Sequence, residues 1–190
     1  KRKQDTIDTL LRTKQCVGCD LAGVDLIGTK LKEANLTDTK LNNANLSKAL
    51  LIGAKLKGAD LTNANLTNAI MVKADLSEAI LRGADLSESN LIQANISGAD
   101  LTGANLTGAK TTKVDFTTAT LDRTAILTLS DIEVRASLLQ ELTRQEELAR
   151  KEAERKKQER LAEEERLRKE AERKEQERLA QEKKQIHRAL

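Results

Sequence analysis

Aromatic side chains are almost absent from this sequence of 190 residues, where they make up 1%: a single Phe116, with no Trp or Tyr. Proline, which turns and loops normally use, is missing altogether. A conventional globular core takes much of its buried area from aromatic rings, so we expect a core built from small, uniform side chains. Both absences favour a repeat architecture over an ordinary globular domain.

An excess of charge of one sign is lacking as well. The chain carries 33 basic and 30 acidic residues, a balance that gives no large field to steer nucleic acid or an acidic substrate. Residues 129–190 hold 17 basic and 16 acidic residues and no aromatic side chain for base stacking, which argues against nucleic-acid binding. No run of 18 apolar residues is present, so the sequence predicts no membrane span.

What the sequence contains instead is a five-residue repeat. From Leu21 to Ile126 an apolar residue recurs at every fifth position, 22 positions in all, with Thr111 as the exception. A small residue, mostly Ala, lies two positions before each central residue, and all nine glycines lie two positions after one. A period of five fits neither a continuous helix nor a continuous strand. It does fit a short extended segment followed by a turn.

Each five-residue unit is predicted to form one side and one corner of a coil. Residues two apart in an extended segment face the same way, so the central Leu and the preceding Ala should both point inward. The Gly that follows supplies the positive φ required at the third residue of a type II turn. Outward apolar residues recur at a spacing of 20 in the numbering, which indicates that one coil takes four units; they are Leu50, Ile52, Ile70, Val72 and Ile92.

The motif Ala-Asp/Asn-Leu-x-x, as at residues 59–63 and 64–68, resembles the repeat of the pentapeptide-repeat proteins. The resemblance covers residues 15–128. It implies an all-β solenoid, a right-handed quadrilateral β-helix with four pentapeptides per coil. The segment 5–21, which contains a Cys-x-x-Cys motif, is also similar to the N-terminal segment of cyanobacterial members, several of which are exported.

Helices are predicted on both sides of the repeat. Residues 1–14 should form an N-terminal capping helix that lays Ile7, Leu10 and Leu11 over the open end, because an uncovered terminal coil leaves apolar side chains and unpaired edges. Ser130 and Glu133 match a capping box, so residues 129–142 are predicted to begin a helix that caps the other end. Its apolar face is expected to comprise Ile132, Ala136, Leu138, Leu139 and Leu142.

Residues 143–190 are dominated by Glu, Lys, Arg, Gln and Ala, and residues 150–164 recur with few changes at 168–182. Because this offset of 18 corresponds to five helical turns of about 3.6 residues each, the pattern predicts a straight, charged single α-helix. Pairs of Glu with Lys or Arg four residues later should each stabilise it by ~0.2–0.5 kcal/mol. The pairs are Glu146–Arg150, Glu147–Lys151, Glu152–Lys156, Glu164–Arg168, Glu165–Lys169 and Glu170–Lys174.

A coiled coil is the alternative for this helix. Its apolar positions do not keep the heptad spacing of a coiled coil. We therefore expect the helix to self-associate weakly at most. These positions are Ala149, Ala153, Leu161, Leu167, Ala171, Leu179 and Ile186.

Cys16 and Cys19, the two cysteines, both fall in register with the repeat and span one corner. Residues i and i+3 of a turn come within about 7 Å, and a disulfide needs a Cα separation of about 4.4–6.8 Å. A disulfide and a pair of buried thiols both fit this geometry. Metal or redox chemistry is the third interpretation, disfavoured because there is no second cysteine pair and the only histidine, His187, lies far along the chain.

The predicted function is structural or partner-binding. Catalysis needs titratable groups that converge in a cleft, and the inward positions here are mainly Leu and Ala, so we expect no enzyme, no cofactor and no metal. We predict a rigid scaffold or adaptor rod with a helical arm, whose protein partner is not identified by the sequence. The candidate interaction strip is Leu50, Ile52, Ile70, Val72 and Ile92; packing of the chain's own tail on this strip is the alternative.

The family resemblance adds one further function and a location. Some members mimic duplex DNA and inhibit DNA gyrase, which calls for an acidic surface, whereas residues 1–128 hold 16 basic and 14 acidic residues. A Cys16–Cys19 disulfide, together with the likeness to exported members, favours the periplasm or thylakoid lumen over the cytoplasm.

Overall fold

A computed structural model describes the backbone of residues 2–189 and the side chains of residues 3–183. Helix α1 (Arg2–Thr13) precedes a repeat region of isolated β-bridges at residues 15–120, which is followed by helices α2 (Arg123–Thr128) and α3 (Ile132–Ala189). The chain divides into two compact units, Lys1–Leu142 and Thr143–Leu190. The side chains of Ile186 and His187, which the sequence analysis considered, lie outside the described part.

The backbone of the repeat region returns alongside itself after every fourth unit. Parallel bridges join positions whose numbers differ by 20, from Gln15 with Asn35 to Asp100 with Thr120. Each bridge is a single residue pair, because a turn follows every one of them. Four five-residue units therefore make one turn of the coil, as the spacing of Leu50 and Ile70 predicts.

The hydrogen bonds of one unit explain its sequence. The amides of Leu66 and Asn68 donate to carbonyl oxygens of the next coil at 2.7 and 3.0 Å, and the amide of Asn65 donates to the previous coil at 2.9 Å. The amide of Thr67 points outward and donates to Asn65 Oδ1 at 3.0 Å. The Asp or Asn before a central Leu thus satisfies the one amide that the backbone ladder leaves without an acceptor.

From Gly18 to Lys113 the corner position adopts the left-handed conformation whatever residue occupies it. The glycines there have φ values between 61° and 70°, and Asn63 and Lys73 have φ values of 55° and 57°. Gly, Asn and Asp tolerate this region well, whereas Lys and Glu adopt it at a cost. Turn geometry is therefore imposed by the coil and is only favoured by the local sequence.

The interior is a stack of aliphatic side chains. The central residues from Leu21 to Leu106 are at most 3% exposed, and the alanines two positions earlier are also buried. Each buried Leu stabilises the fold by about 1.5–3 kcal/mol relative to an exposed one. Among the described residues, the buried polar side chains are those of Thr39 and Ser89.

Helix α1 covers the first coil. Leu10 is fully buried and Ile7 packs against the core, as predicted, whereas Leu11 is 36% exposed. Leu11 follows Leu10 by about 100° around the helix axis, which carries it past the contact with the coil. The amide of Lys14 donates to the Leu10 carbonyl at 2.8 Å. Lys14 itself has a φ of 61°, which ends the helix.

At the other end, the prediction that the repeat continues to residue 128 is wrong. Bridges end at Thr120, and helix α2 replaces the final unit, with Ile126 buried inside it. Asp122 caps α2 by accepting from the Ala125 amide at 2.9 Å, and its Oδ1 also accepts from Gly103 at 3.1 Å. Thr128 Oγ1 accepts from the Leu106 amide at 2.8 Å. Side chains around α2 thus provide acceptors that a further coil would have supplied.

Helix α3 begins later than the predicted capping box. Asp131 is its cap, since its Oδ1 accepts from the amides of Glu133 and Val134 at 3.0 Å each. Val134 and Leu138 pack against the core, whereas Ile132 is 70% exposed. The predicted packing of Ile132 and Ala136 is therefore wrong, because the later start rotates the buried face onto Val134.

Within residues 143–183 nearly every described side chain of α3 is exposed. Four of the predicted i,i+4 pairs form at 2.6–2.7 Å. The Glu164–Arg168 pair is wrong: Arg168 Nε donates to Glu172 at 2.9 Å, because a carboxylate lies one turn away in either direction. The Glu146–Arg150 pair stays a prediction.

Candidate interaction face

The five residues of the apolar strip lie on one side of the coil. Leu50 bridges Ile70, and the amides that follow Ile52 and Val72 donate at 3.0 Å to the carbonyl oxygens of Val72 and Ile92 in the next coils. The strip residues occupy outward positions and are half-buried. The strip is thus an apolar surface whose side chains are partly covered by their neighbours. Substitutions there will therefore lower the stability of the fold somewhat more than substitutions of fully exposed residues.

Lysines continue the same rows beyond both ends of the strip. Lys30 bridges Leu50, and Asn90, which bridges Ile70, also bridges Lys110. Lys32 lies one coil before Ile52 in the parallel row. All three lysines are exposed. We call this side the strip face; its outward residues are Lys30, Lys32, Leu50, Ile52, Ile70, Val72, Asn90, Ile92, Lys110 and Thr112.

Sequence reasoning missed these lysines, although the spacing that linked Leu50 to Ile70 also links Lys30 and Lys110 to them. Lysine alone is the charged residue type at the outward positions of the strip face. At the two corners that border the face, Lys48, Lys73 and Lys113 outnumber Glu33 and Glu88. The face is therefore positively charged around an apolar centre.

Backbone amides distinguish the strip face from the side that precedes it along the chain, which we call the aspartate face. Its outward residues are Asp25, Ile27, Asn45, Ser47, Asn65, Thr67, Asp85, Ser87, Asn105 and Thr107. There, each Asp or Asn accepts from the amide two residues later at 3.0–3.1 Å. Its charged side chains are aspartates, so it differs from the strip face in both charge and hydrogen bonding.

On the strip face only Asn90 performs this role, accepting from the Ile92 amide at 3.2 Å. Lys and aliphatic side chains have no acceptor oxygen. Within the described residues, the outward amides of the other four coils therefore have no protein acceptor. These amides belong to Lys32, Ile52, Val72 and Thr112.

In the repeat region, the carboxylates with shifted pKa values lie on sides of the coil other than the strip face. The amide and hydroxyl of Thr117 lower the pKa of Asp115, and the amide of Ala22, helped by Lys3, lowers that of Asp20. For Asp100, partial burial opposes ionisation, but hydrogen bonds from Thr102 and the charge of Arg82 outweigh it, so its pKa is lowered too. These shifts follow from turn geometry and do not mark a reactive group.

A disulfide joins Cys16 and Cys19 in the first coil, with Sγ atoms 2.13 Å apart and Cα atoms 5.3 Å apart. Cys16 is buried and Cys19 is half-buried. Of the three interpretations left open by the sequence, the structure contains the disulfide. The oxidation state of the two cysteines in the cell stays a prediction.

The described residues bring together no constellation of reactive groups. Among residues 3–183, no group of three or more His, Cys, Asp or Glu side chains is arranged to hold a metal ion. An open cleft of about 350 Å³ lies between the last unit and the start of α3, lined by Val114, Phe116, Glu133, Val134 and Leu138 among others. Over the described length, none of the helices is both long and apolar enough to cross a bilayer.

Comparisons with known proteins agree with this architecture. The family model described as Pentapeptide repeats matches with eight copies, over residues 19–58, 44–83, 69–108 and 84–123. The match begins at residue 19, so it does not cover the Cys-x-x-Cys segment as a whole. A search of the curated proteins finds no match.

Several solved structures are similar to this chain. The pentapeptide repeat protein Rfr23 from the cyanobacterium Cyanothece 51142 is 31% identical, with a TM-score of 0.59, and the match covers 64% of this chain and 96% of that one. A pentapeptide repeat protein from the Arabidopsis thaliana thylakoid lumen is 37% identical over 58% of this chain and 73% of that one, with a TM-score of 0.20. Pentapeptide repeats imply a right-handed β-helix. Since the family model matches more than half of its length, the chain belongs to the pentapeptide repeat family.

Proposed function

We propose that this chain is a non-enzymatic scaffold whose repeat region, a right-handed quadrilateral β-helix, binds a protein partner through the strip face. The observation that carries the proposal is the strip face itself. It combines a contiguous apolar strip, a charged rim and amides without acceptors, whereas the aspartate face is polar and its amides are paired. Apolar surface with a polar rim is typical of protein interfaces.

The remaining parts of the proposal concern the arm and the location. The helical residues 143–189 span about 70 Å at 1.5 Å per residue, a length that suits a spacer or a second binding element. The Cys16–Cys19 disulfide supports a location in the periplasm or thylakoid lumen, because disulfides persist in oxidising compartments. A relative from the thylakoid lumen is consistent with that location.

The test is a triple variant of the strip, Ile52→Lys, Ile70→Glu and Val72→Glu, compared with the wild-type chain in affinity capture from an extract of the source organism. We expect a captured protein to be lost, because charge at an apolar interface centre is costly. A matched control makes the same net charge change on the opposite side of the coil, two five-residue units away. Its substitutions are Asn42→Lys, Thr62→Glu and Ile80→Glu. The control should retain the protein.

Loss of the protein from both variants, or from neither, would contradict a role for the strip face. Because the strip is half-buried, both variants are first compared by thermal unfolding. Protease sensitivity of residues 143–190 in the strip variant tests the alternative that the chain's own tail covers the strip. For the gyrase alternative, the near balance of charge in residues 1–128 predicts no inhibition in a supercoiling assay.

A further inference from the structure

We propose that the strip face binds an acidic amphipathic α-helix presented by its protein partner. This inference rests on the proposed function and adds the chemistry of the partner. It follows from three properties of the strip face: its dimensions, the sign of its charge and its amides without acceptors.

The dimensions match a short helix. The apolar strip extends over two coil steps, from the coil of Leu50 to that of Ile92, or about 10 Å at ~4.8 Å per step. Apolar residues at i, i+3 or i+4, and i+7 of a helix cover the same length, since seven residues rise about 10.5 Å. Lys30 and Lys110 are four steps apart, about 19 Å, which corresponds to about 13 helical residues. The lysines would therefore meet the first and last turns of such a helix.

The charge and the amides set the sign of the partner. Lys30 and Lys32 are at one end of the strip face and Lys110 at the other, and the outward positions between them carry no charged side chain. The amides of Lys32 and Thr112, which have no protein acceptor within the described residues, lie in the same coils as these lysines. Lys32 Nζ already lies 3.7 Å from a carboxylate oxygen of Glu33, so carboxylates at the two ends of a partner helix would pair with Lys30 and Lys110 and accept from the amides.

The middle of the face requires acceptors as well. The amides of Ile52 and Val72 have no protein acceptor among the described residues, and covering them with purely apolar groups would leave buried donors unsatisfied. A helix that places Glu or Gln beside its apolar residues supplies the acceptors. An acidic amphipathic helix meets this requirement, and a purely aliphatic surface does not.

A second copy of the chain is a poorer occupant. If two strip faces meet about a two-fold axis along the coil, Lys30 faces Lys30. If the axis is perpendicular to the coil, Lys30 faces Lys110. Both arrangements place like charges opposite each other, which is unfavourable. A lipid surface is also a poorer occupant, since the strip is half-buried and has none of the Trp or Phe anchors that membrane-surface elements use.

The experiment uses the full chain and two labelled peptides of about 15 residues that carry the same three Leu residues at helical i, i+4, i+7 spacing. One peptide has Glu in its end turns and the other has Lys; Gln and Ala fill the remaining positions. Binding is followed by fluorescence anisotropy. We expect the acidic peptide to bind and the basic peptide to bind at least about fivefold more weakly, with the difference shrinking at high salt.

Two variants then locate the binding site. Lys30→Glu with Lys110→Glu should weaken the acidic peptide about fivefold and strengthen the basic one. Lys40→Glu with Lys55→Glu, which changes the same bridge positions on other sides of the coil, should leave both peptides unaffected. All four lysines are exposed, so both variants should unfold at the wild-type temperature.

Equal binding of the two peptides, no binding of either, or an equal response of the two variants would overturn the acidic-helix inference. So would a dimer in light scattering that the strip variant abolishes, or displacement of the acidic peptide by vesicles of anionic lipid. These results would not contradict the scaffold proposal, provided that the captured protein binds the wild-type chain and not the strip variant. A failed capture experiment, by contrast, contradicts the proposed function itself.

Discussion

The repeat region, with Phe116 as its one aromatic residue, and the charged part of α3 form regular structure almost without aromatic side chains, and they do so in opposite ways. Residues 15–120 bury a central side chain in nearly every unit and pair backbone atoms of successive coils. Residues 143–183 expose their side chains and pair charges three or four residues apart. The first segment depends on distant contacts and should unfold cooperatively, whereas the second depends on local contacts and should unfold gradually.

The strongest way to break this comparison is to place a carboxylate in the buried stack. Leu66→Asp should prevent folding of the repeat region, because Leu66 is fully buried and an unpaired buried charge costs several kcal/mol. Circular dichroism should show loss of the β signal while the helical signal of residues 143–183 persists. Asn68→Asp adds a carboxylate two positions away, at an exposed corner with φ of 57°, and should fold normally. A soluble Leu66→Asp protein with an unchanged β signal would disprove the packed stack.

Reduction of the disulfide should have the next largest effect and should act on the repeat region alone. Closing so short a loop stabilises the fold by about 2 kcal/mol in the chain-entropy account. Urea unfolding with and without reductant measures this loss, and a Cys16→Ala, Cys19→Ala variant should not respond to reductant. Titration of native, unreduced protein that finds two reactive thiols would show that the disulfide does not form in the cell.

Ser89 offers a change that should strengthen the buried stack. Its hydroxyl is fully buried without a hydrogen-bond partner among the described residues, whereas the hydroxyl of Thr39, at the same repeat position, donates to the Cys16 carbonyl at 2.5 Å. Ser89→Ala should raise the free energy of unfolding by about 1 kcal/mol, because an unsatisfied polar group is removed. Thr39→Ala should lower it. If both changes shift the urea midpoint in the same direction, hydroxyl satisfaction is not the cause.

The smallest expected effect concerns pH and the helix. Glu170 forms a hydrogen bond and an ion pair with Lys174. These contacts lower the pKa of Glu170 and raise the pKa of Lys174. Because the pKa of Glu170 is lowered, its ionised form stabilises the helix at pH values above the ordinary Glu pKa. That contribution disappears as pH falls through the lowered pKa. Because the pKa of Lys174 is raised, its protonated form stabilises the helix at pH values below the ordinary Lys pKa. That contribution disappears as pH rises through the raised pKa.

Helicity of residues 143–183 should therefore be highest across the neutral range and decline slightly at both extremes. Glu170→Gln should flatten the profile slightly at both ends, and added salt should flatten it further. Helicity that rises on acidification would show that the ion pairs do not stabilise this helix.

Much of the repeat region could be predicted because one spacing repeats many times. The central leucines, the corner glycines and the four-unit register all follow from it. Helix α2 could not be predicted in this way, since Ile126 falls on the repeat phase, and only the acceptors at Asp122 and Thr128 show that the coil has ended. The first turn of α3 was misplaced because Asp131 and Ser130 are both good caps, and a shift of one residue turns the buried face by about 100°.

The strip face was half-predicted for a related reason. Apolar residues at outward positions are unusual, so Leu50 and Ile70 drew attention, whereas an exposed lysine is ordinary. The amides without acceptors follow from residues that are absent, since Asp or Asn is missing before Leu31, Leu51, Met71 and Thr111. That pattern becomes meaningful only when the hydrogen bonds of the other sides are known.

The four-unit coil also constrains how this gene can change length. An insertion of one five-residue unit between Ile52 and Ile70 would preserve every buried Leu, yet it would turn all later units by one side and separate Leu50 and Ile52 from the rest of the strip. An insertion of four units would lengthen the coil by about 4.8 Å and keep each side in line. Insertions of four units outside residues 30–112 should therefore preserve binding, whereas an insertion of one, two or three units between Ile52 and Ile70 should preserve only folding. Alternative lengths in natural populations would then record which sides of the coil are under selection.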